Sequence, residues 1–225
     1  MTSIKDDLCR SVYQTIDPFL AFTPNPSDVD MQGWGHHPFL KEAIDAQSPQ
    51  VIIEVGVWKG SSVIHMAQHL KKCRLDSCII AVDTWLGSVE HWINDERRAD
   101  LRRENGRPNM QSTFMTNCCA ASVSEYVLPL PIDSINASIL HKHYGIFANI
   151  LHIDAGHDYD SVKADLQNWW PILKPGGIML CDDYCPIADN PEFWPGVRKA
   201  VEEHALANDI EIRYEGGNKA WMSKR

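Results

Sequence analysis

Val51-Ile52-Ile53-Glu54-Val55-Gly56-Val57-Trp58-Lys59-Gly60-Ser61-Ser62 starts as a β-branched run and finishes as the opening of a helix. Five residues of this kind, apolar apart from Glu54, predict a short strand buried on both faces of a parallel sheet. Gly56 through Gly60 predicts a turn. Ser61 or Ser62 is placed to cap a helix carrying Val63, Ile64, Ala67 and Leu70. Further along, the strand-then-helix unit recurs. Residues 78–83 read as a strand ending in an acid, and residues 88–122 as helical with a break at Arg107-Pro108-Asn109. Tyr126-Val127-Leu128 is a weaker strand, and Ser134 opens a helix with Ile135, Ile139 and Leu140 on it. Residues 149–154 predict a strand, 159–173 a helix, Lys174-Pro175-Gly176-Gly177 a turn, 178–182 a strand and 195–207 a helix. The final strands, 211–214 and 219–222, flank Glu215-Gly216-Gly217-Asn218 as a hairpin.

Strands alternating with helices predict an α/β fold: a Rossmann-like, doubly wound, mostly parallel seven-stranded sheet closed by a C-terminal antiparallel hairpin. Before Val51 the pattern differs. Ile4, Leu8, Val12 and Ile16 form one apolar stripe on a helix that stops before Asp17-Pro18. A stretch broken by Pro24, Pro26, Gly33, Gly35 and Pro38 follows, then a short helix over 38–46 with proline at its first position. Residues 1–48 are therefore expected to be an N-terminal helical cap and residues 49–225 the main domain. Residues 86–122 read as a lid inserted between the second and third strands.

The chain's 225 residues carry 21 Lys plus Arg against 30 Asp plus Glu, a formal charge of −9, with 44% apolar residues. That composition excludes disorder, and the acidic balance argues against nucleic acid as a partner, since phosphate neutralisation needs a basic face. The first residues lack a cationic region followed by an apolar stretch, and no run of about 18 apolar residues occurs, so neither a secretory signal nor a membrane span is expected. The seven cysteines show no C-x-x-C spacing and read as reduced thiols of a cytoplasmic protein.

In an open α/β sheet, ligands bind beyond the carboxyl ends of the strands. Four places qualify: Glu54–Ser62, Asp83–Trp85, Asp154–His157 and Asp182–Tyr184. A glycine after the first strand admits a ligand close to the backbone, and the following helix N-terminus presents N–H groups to an anion. A carboxylate at Asp83 can accept hydrogen bonds from both hydroxyls of a ribose. The pair reads as a nucleoside-cofactor site, with a plain tight turn as the alternative. G-x-G-x-x-G spacing fails, because Trp58 stands where a dinucleotide needs glycine. That disfavours NAD and leaves room for S-adenosylmethionine, which has no pyrophosphate.

Glu54-x-Gly56-x-x-x-Gly60-x-Ser62 resembles motif I of class I S-adenosylmethionine-dependent methyltransferases, in the variant of the catechol and macrocin-type O-methyltransferases. Ile153-Asp154-Ala155-Gly156-His157-Asp158-Tyr159, Leu173-Lys174-Pro175-Gly176-Gly177 and Asp182-Asp183-Tyr184 are similar to that group in the same order. The resemblance covers roughly residues 50–223. It implies that Glu54, Gly56 and Trp58 line the methionine side of the cofactor, with Ser62 near its carboxylate. Asp83 would then hold the ribose, with Thr84 and Trp85 by the adenine and Ser134 at the adenine edge. It also implies a divalent cation, Mg²⁺ or else Ca²⁺ or Mn²⁺, on Asp154, Asp182 and Asp183, which would lower the pKa of the attacking hydroxyl. Hard oxygen donors suit such ions, and three unpaired carboxylates would otherwise repel one another.

His157 stands where the catechol enzymes carry a lysine base, and a near-neutral histidine can take a proton from a hydroxyl, with a structural histidine capping the helix that follows as the alternative. Asp154 joins it as a candidate catalytic residue. The other histidines (His36, His37, His65, His69, His91, His141 and His143) read as surface or lid residues. Trp34, Trp85, Trp92 and Trp194 are placed to stack on an acceptor, and Trp169 and Trp170 to pack. The arginine-rich run from Glu96 to Arg107 reads as a solvated face. The expected activity is methyl transfer to a hydroxyl of a small sugar-like or polyhydroxylated acceptor, by direct displacement at sulfur. An NAD-dependent oxidoreductase and a catalytically silent nucleoside-binding protein stay open as alternatives, as does a homo-oligomer.

Overall fold

The computed structural model describes residues 3–14, 17–31 and 36–225. Ile16, Gly33, Trp34 and Gly35, which entered the sequence reading, lie outside the described residues. Helix α1 (Ile4–Tyr13) is closed by a Ser3–Asp6 capping box and anchored by buried Lys5, which pairs with Asp17 and donates to the Ser124 carbonyl at 2.7 Å. Helix α2 (Pro38–Gln47) has His37 as its N-cap, with proline at the first helical position as predicted.

The sheet follows. Strands β1 (Val51–Val55), β2 (Cys78–Val82), β3 (Val127–Leu130), β4 (Ala148–Ile153) and β5 (Leu173–Asp182) run parallel, and β7 (Lys219–Ser223) is antiparallel to both β5 and β6 (Arg213–Tyr214). The order β3-β2-β1-β4-β5-β7-β6 makes one seven-stranded Rossmann-like sheet with the antiparallel closing hairpin. Order reverses between β1 and β4, which places the crevice of the fold at their carboxyl ends.

Both faces are covered. Helix α1 packs on one side with α6 (Ser134–Tyr144), α7 (Tyr159–Trp169) and α8 (Pro195–Ala207), against Ile53, Val55, Leu151 and Met179. On the other, α2, α3 (Ser61–Cys73) and α5 (Met110–Ala120) cover Ile52, Ile79, Ile150 and Leu180. Strand side chains alternate between faces, so Glu54 and His152, in register on β1 and β4, share the α2–α3 face.

Three local expectations need correction. Neither Ser61 nor Ser62 caps α3. Gly60 does so, at φ +89°, and among the described residues no side chain caps the helix end by a hydrogen bond. The turn at residues 174–177 is an excursion within β5: Ala148 pairs with Leu173 and Ile150 with Ile178, so four residues bulge out opposite one. Residues 88–122 form only two helices, α4 (Val89–Ile93) and α5, separated by a 3-10 turn and a short bridge between Glu104 and Arg107.

Candidate active site at the strand ends

The loop after β1 is held by backbone contact and by one carboxylate. Gly56 has φ +83°, and a Cβ there would lie 2.0 Å from the Asp154 carbonyl oxygen, so glycine alone allows β1 and β4 to close together. The Gly56 N–H donates to the Val82 carbonyl at 2.9 Å, and the Asp154 N–H to that of Val55 at 2.8 Å. Asp83 accepts from the N–H groups of Val57 (2.8 Å) and Trp58 (2.9 Å) through Oδ2, and of Trp85 (2.7 Å) through Oδ1. A carboxylate offers about four lone-pair sites, so one remains for a ligand hydroxyl. Trp58 and Trp85 both have positive φ, +54° and +51°, a strained conformation for a bulky residue. The Trp85 indole N–H donates to the Trp58 carbonyl at 3.0 Å and thereby ties the two together.

The structure assigns the expected cofactor residues to different surroundings. Trp85 is buried against Phe114, with ring centroids 5.0 Å apart, so its indole supports the loop from beneath. The Thr84 hydroxyl accepts from the Leu86 N–H at 3.2 Å and shapes the turn. The Ser62 hydroxyl donates to Glu54. Ser134 is not an N-cap, that position being Asp133. Its hydroxyl donates to Asp165 and accepts from the Trp169 indole at 2.8 Å. Trp58 stacks on His91 of α4 at 4.0 Å.

At the ends of β4 and β5, Asp154, His157, Asp182 and Asp183 line one cavity. His157 Nε2 lies 2.9 Å from Asp183 Oδ2, and its ring stacks on Trp194 at 4.1 Å. That hydrogen bond to Asp183 holds the imidazole above its usual pKa, against the opposing effect of burial. Asp154 is raised well above the carboxylate range, by burial first and then by the charge of Asp182. Asp182 is held low despite burial, because Lys219 and His152 stand beside it.

Lys219 and His152 passed unnoticed in the sequence. Lys219 opens β7 and is 2% exposed; its ammonium sits 2.8 Å from Asp182 Oδ1 and 2.7 Å from His152 Nε2. An ammonium only donates, so His152 Nε2 accepts and its proton lies on Nδ1. That nitrogen faces Glu54 Oε2 at 3.3 Å, without hydrogen-bond geometry. Ser62, Glu54, His152, Lys219, Asp182 and Asp154 thus form one buried polar chain from the glycine loop to the acidic cavity. A histidine in the apolar strand 148–153 was the available signal. His141 was also misread: it is a core residue, 1% exposed, with Nδ1 on the Ala137 carbonyl at 2.7 Å.

Four carboxylates in this chain and cavity (Glu54, Asp154, Asp182 and Asp183) face the Lys219 ammonium and the His157 imidazole. Oxygen donors that outnumber their cations fit a hard divalent cation, and Asp154, raised by burial first and by the Asp182 charge second, is the acid such an ion would compensate. Asp183, turned to His157 with φ +55°, is the donor that would have to swing.

A glycine loop closed on β4, an acid at the end of β2 and paired acids at the end of β5 meet at the crevice of a Rossmann-like sheet. The family model described as a methyltransferase domain matches residues 53–184, and the chain belongs to that family. It is 28% identical over 148 residues to the uncharacterized protein y4gI of Sinorhizobium fredii, covering 66% of this chain but only 14% of that protein's length. Among solved structures it is similar to the O-methyltransferase NovP (20% identity, TM-score 0.59, covering 83% of this chain and 78% of NovP). It is similar also to the O-methyltransferase TomG of Streptomyces achromogenes, solved with S-adenosylmethionine (13% identity, TM-score 0.59, covering 100% and 91%). These two likenesses show a shared fold.

Proposed function

We propose that the chain transfers the methyl group of S-adenosylmethionine to a hydroxyl of a small, sugar-like or polyhydroxylated acceptor, in the cytoplasm. The observation that carries this reading is the adjacency of Asp154, Asp182 and Asp183, ending β4 and β5, to the loop fastened by Asp83. The remaining acceptor site on Asp83 suits a ribose hydroxyl. The N-terminus of α3, which no side chain caps, suits the methionine carboxylate. Thr84 and Ser134 would lie toward the adenine, and Gly56, Trp58, Glu54 and Ser62 would form the wall at the sulfonium side. Residues 86–122 would close over the acceptor, bringing His91 and Trp92 with them.

Asp154, Asp182 and Asp183 would hold Mg²⁺ or a similar cation, which supplies acidity to a bound hydroxyl and fixes its position. His157 is placed to take the proton. Asp183 accepts from its Nε2–H, which orients the ring and leaves Nδ1 as the acceptor. The acceptor oxygen forms a bond to the methyl carbon as the carbon–sulfur bond breaks. The electron pair of that bond stays on sulfur, neutralising the sulfonium. Trp194, stacked on His157, keeps the imidazole from turning away. Holding the reactants in line is where such a site contributes most, since no covalent enzyme intermediate is needed.

The test is calorimetric titration with S-adenosylmethionine and, separately, NAD, in Mg²⁺ and in EDTA. It is followed by a panel of hydroxylated acceptors, scored by release of S-adenosylhomocysteine. The reading expects binding of S-adenosylmethionine and not NAD, and turnover that Asp182→Ala abolishes while cofactor binding largely persists. Preference for NAD would overturn it.

A further inference from the structure

A second cluster of metal-ligating side chains lies at the opposite end of the molecule from the strand-end cavity. Helix α3 leaves the carboxyl end of β1 and runs back along the sheet, so its last turns sit near the amino ends of the strands. His69 and Cys73, four residues apart, share one face of α3, and Asp45 reaches them from α2, which packs beside α3 in the same core cluster. His69 Nε2 lies 2.6 Å from Asp45 Oδ1 and 3.7 Å from Cys73 Sγ, and Cys73 Sγ lies 4.0 Å from Asp45 Oδ1. His65, one turn earlier on the same stripe, is engaged with His36 at 2.8 Å and stands apart from this triangle.

We propose that Asp45, His69 and Cys73 form a zinc-class transition-metal site that clamps α2 to α3. A four-coordinate zinc, with bonds of about 2.3 Å to sulfur and about 2.0 Å to nitrogen or oxygen, sets its donors about 3.5 Å (S to N or O) and about 3.3 Å (N to O) apart. The observed edges differ from those by about 0.2 Å (His69–Cys73), about 0.5 Å (Asp45–Cys73) and about 0.7 Å (Asp45–His69). The adjustment needed is opening the His69–Asp45 contact and drawing the sulfur in. Donor chemistry separates this site from the cavity. Thiolate and imidazole select zinc, cobalt or similar ions, whereas the oxygen-only acids at β4 and β5 select Mg²⁺. On binding, the Cys73 thiol releases its proton to solvent, and the proton between His69 Nε2 and Asp45 leaves that nitrogen, Nδ1 taking one up from solvent, so that Nε2 and the carboxylate are free to ligate, with no redox change. Cys73 and Asp45 are exposed, which leaves the fourth position to water.

Cobalt absorption on the reduced full-length chain tests this, with zinc then added as competitor. The expected result is one equivalent of Co²⁺ with intense tetrahedral d–d bands and a thiolate-to-metal charge-transfer band, both erased by zinc. Cys73→Ser should remove the charge-transfer band, and His69→Ala or Asp45→Asn should weaken binding. Cys119→Ser, on α5, should change nothing. Zinc should also raise the thermal midpoint of the wild type and not that of Cys73→Ser, whose urea midpoint without metal reports that it is folded. Weak octahedral absorption lacking a thiolate band, or a band that survives in Cys73→Ser, would overturn the proposal. So would a His69–Asp45 pair that binds neither ion.

Discussion

Asp165 shows how one buried side chain sets a pH dependence. It lies on α7, 6% exposed, and accepts from the Ser134 hydroxyl. Burial pushes its carboxyl up from 3.8 to about 6, while the Ser134 hydrogen bond works the other way. Between those two values the folded chain holds the proton more tightly than the unfolded one. The contribution of Asp165 to stability is therefore greatest below about pH 4, falls as pH rises to about 6 and is level beyond. Two pK units correspond to about 3 kcal/mol. Asp165→Asn keeps the acceptor oxygen and removes the charge. It should be up to about 3 kcal/mol more stable than wild type at pH 7.5 and nearly equal to it at pH 4, read from urea midpoints at the two pH values. An equal gain at both would assign the effect to packing instead. Nothing in residues 159–173 signalled this, because an aspartate on an amphipathic helix reads as solvated until its neighbours are known.

At the level of elements, the strands and most helices were legible because apolar period and turn residues agree there. β1 and α8 fall on their predicted bounds, where four β-branched residues around Glu54 and an opening Pro195 leave no competing reading. Residues 88–122 were not legible, since their order comes from distant partners. Lys59, 2% exposed, reaches Asp30 at 2.7 Å and Asp100 at 2.8 Å, and its carbonyl accepts from Asn117 at 2.9 Å. One ammonium from the glycine loop thus joins the N-terminal segment to the inserted one. Lys59→Met keeps the stem but takes the ammonium away from two half-buried carboxylates. Removing one partner of such pairs costs more than the pairs contribute. We expect a loss of about 2 kcal/mol in global stability, together with proteolytic cleavage between residues 94 and 109 that appears well below the unfolding midpoint. Cleavage that tracks global unfolding would show that the segment is held by Leu101, Met110 and Phe114 alone.

Across the whole molecule, the acids at the strand ends could be found from sequence because the parallel sheet delivers successive strand termini to one edge. Their buried counter-charge could not. Lys219 comes from β7, which is inserted antiparallel beside β5 after α8, and only the register Asp182↔Lys219 brings it there. His152 was hidden for a related reason: its partner, Glu54, is distant in sequence and becomes its neighbour only through β1–β4 pairing. The sheet therefore assembles an ion network that no local segment contains, and folding and the site's electrostatics depend on the same contact. Lys219→Met should destabilise the chain by about 3–5 kcal/mol, because it leaves Asp182 buried beside Asp154 without its cation. Asp182→Asn in the same chain removes the orphaned charge and should restore most of that loss, a coupling of well over 1 kcal/mol in a double-mutant cycle. Urea unfolding of the wild type, both single variants and the double variant at pH 7.5 in EDTA gives the four corners. Simple additivity would mean that Lys219 stabilises the sheet through its aliphatic stem. Strong coupling would mean that β7 stabilises the fold through the counter-charge it supplies to the acid ending β5.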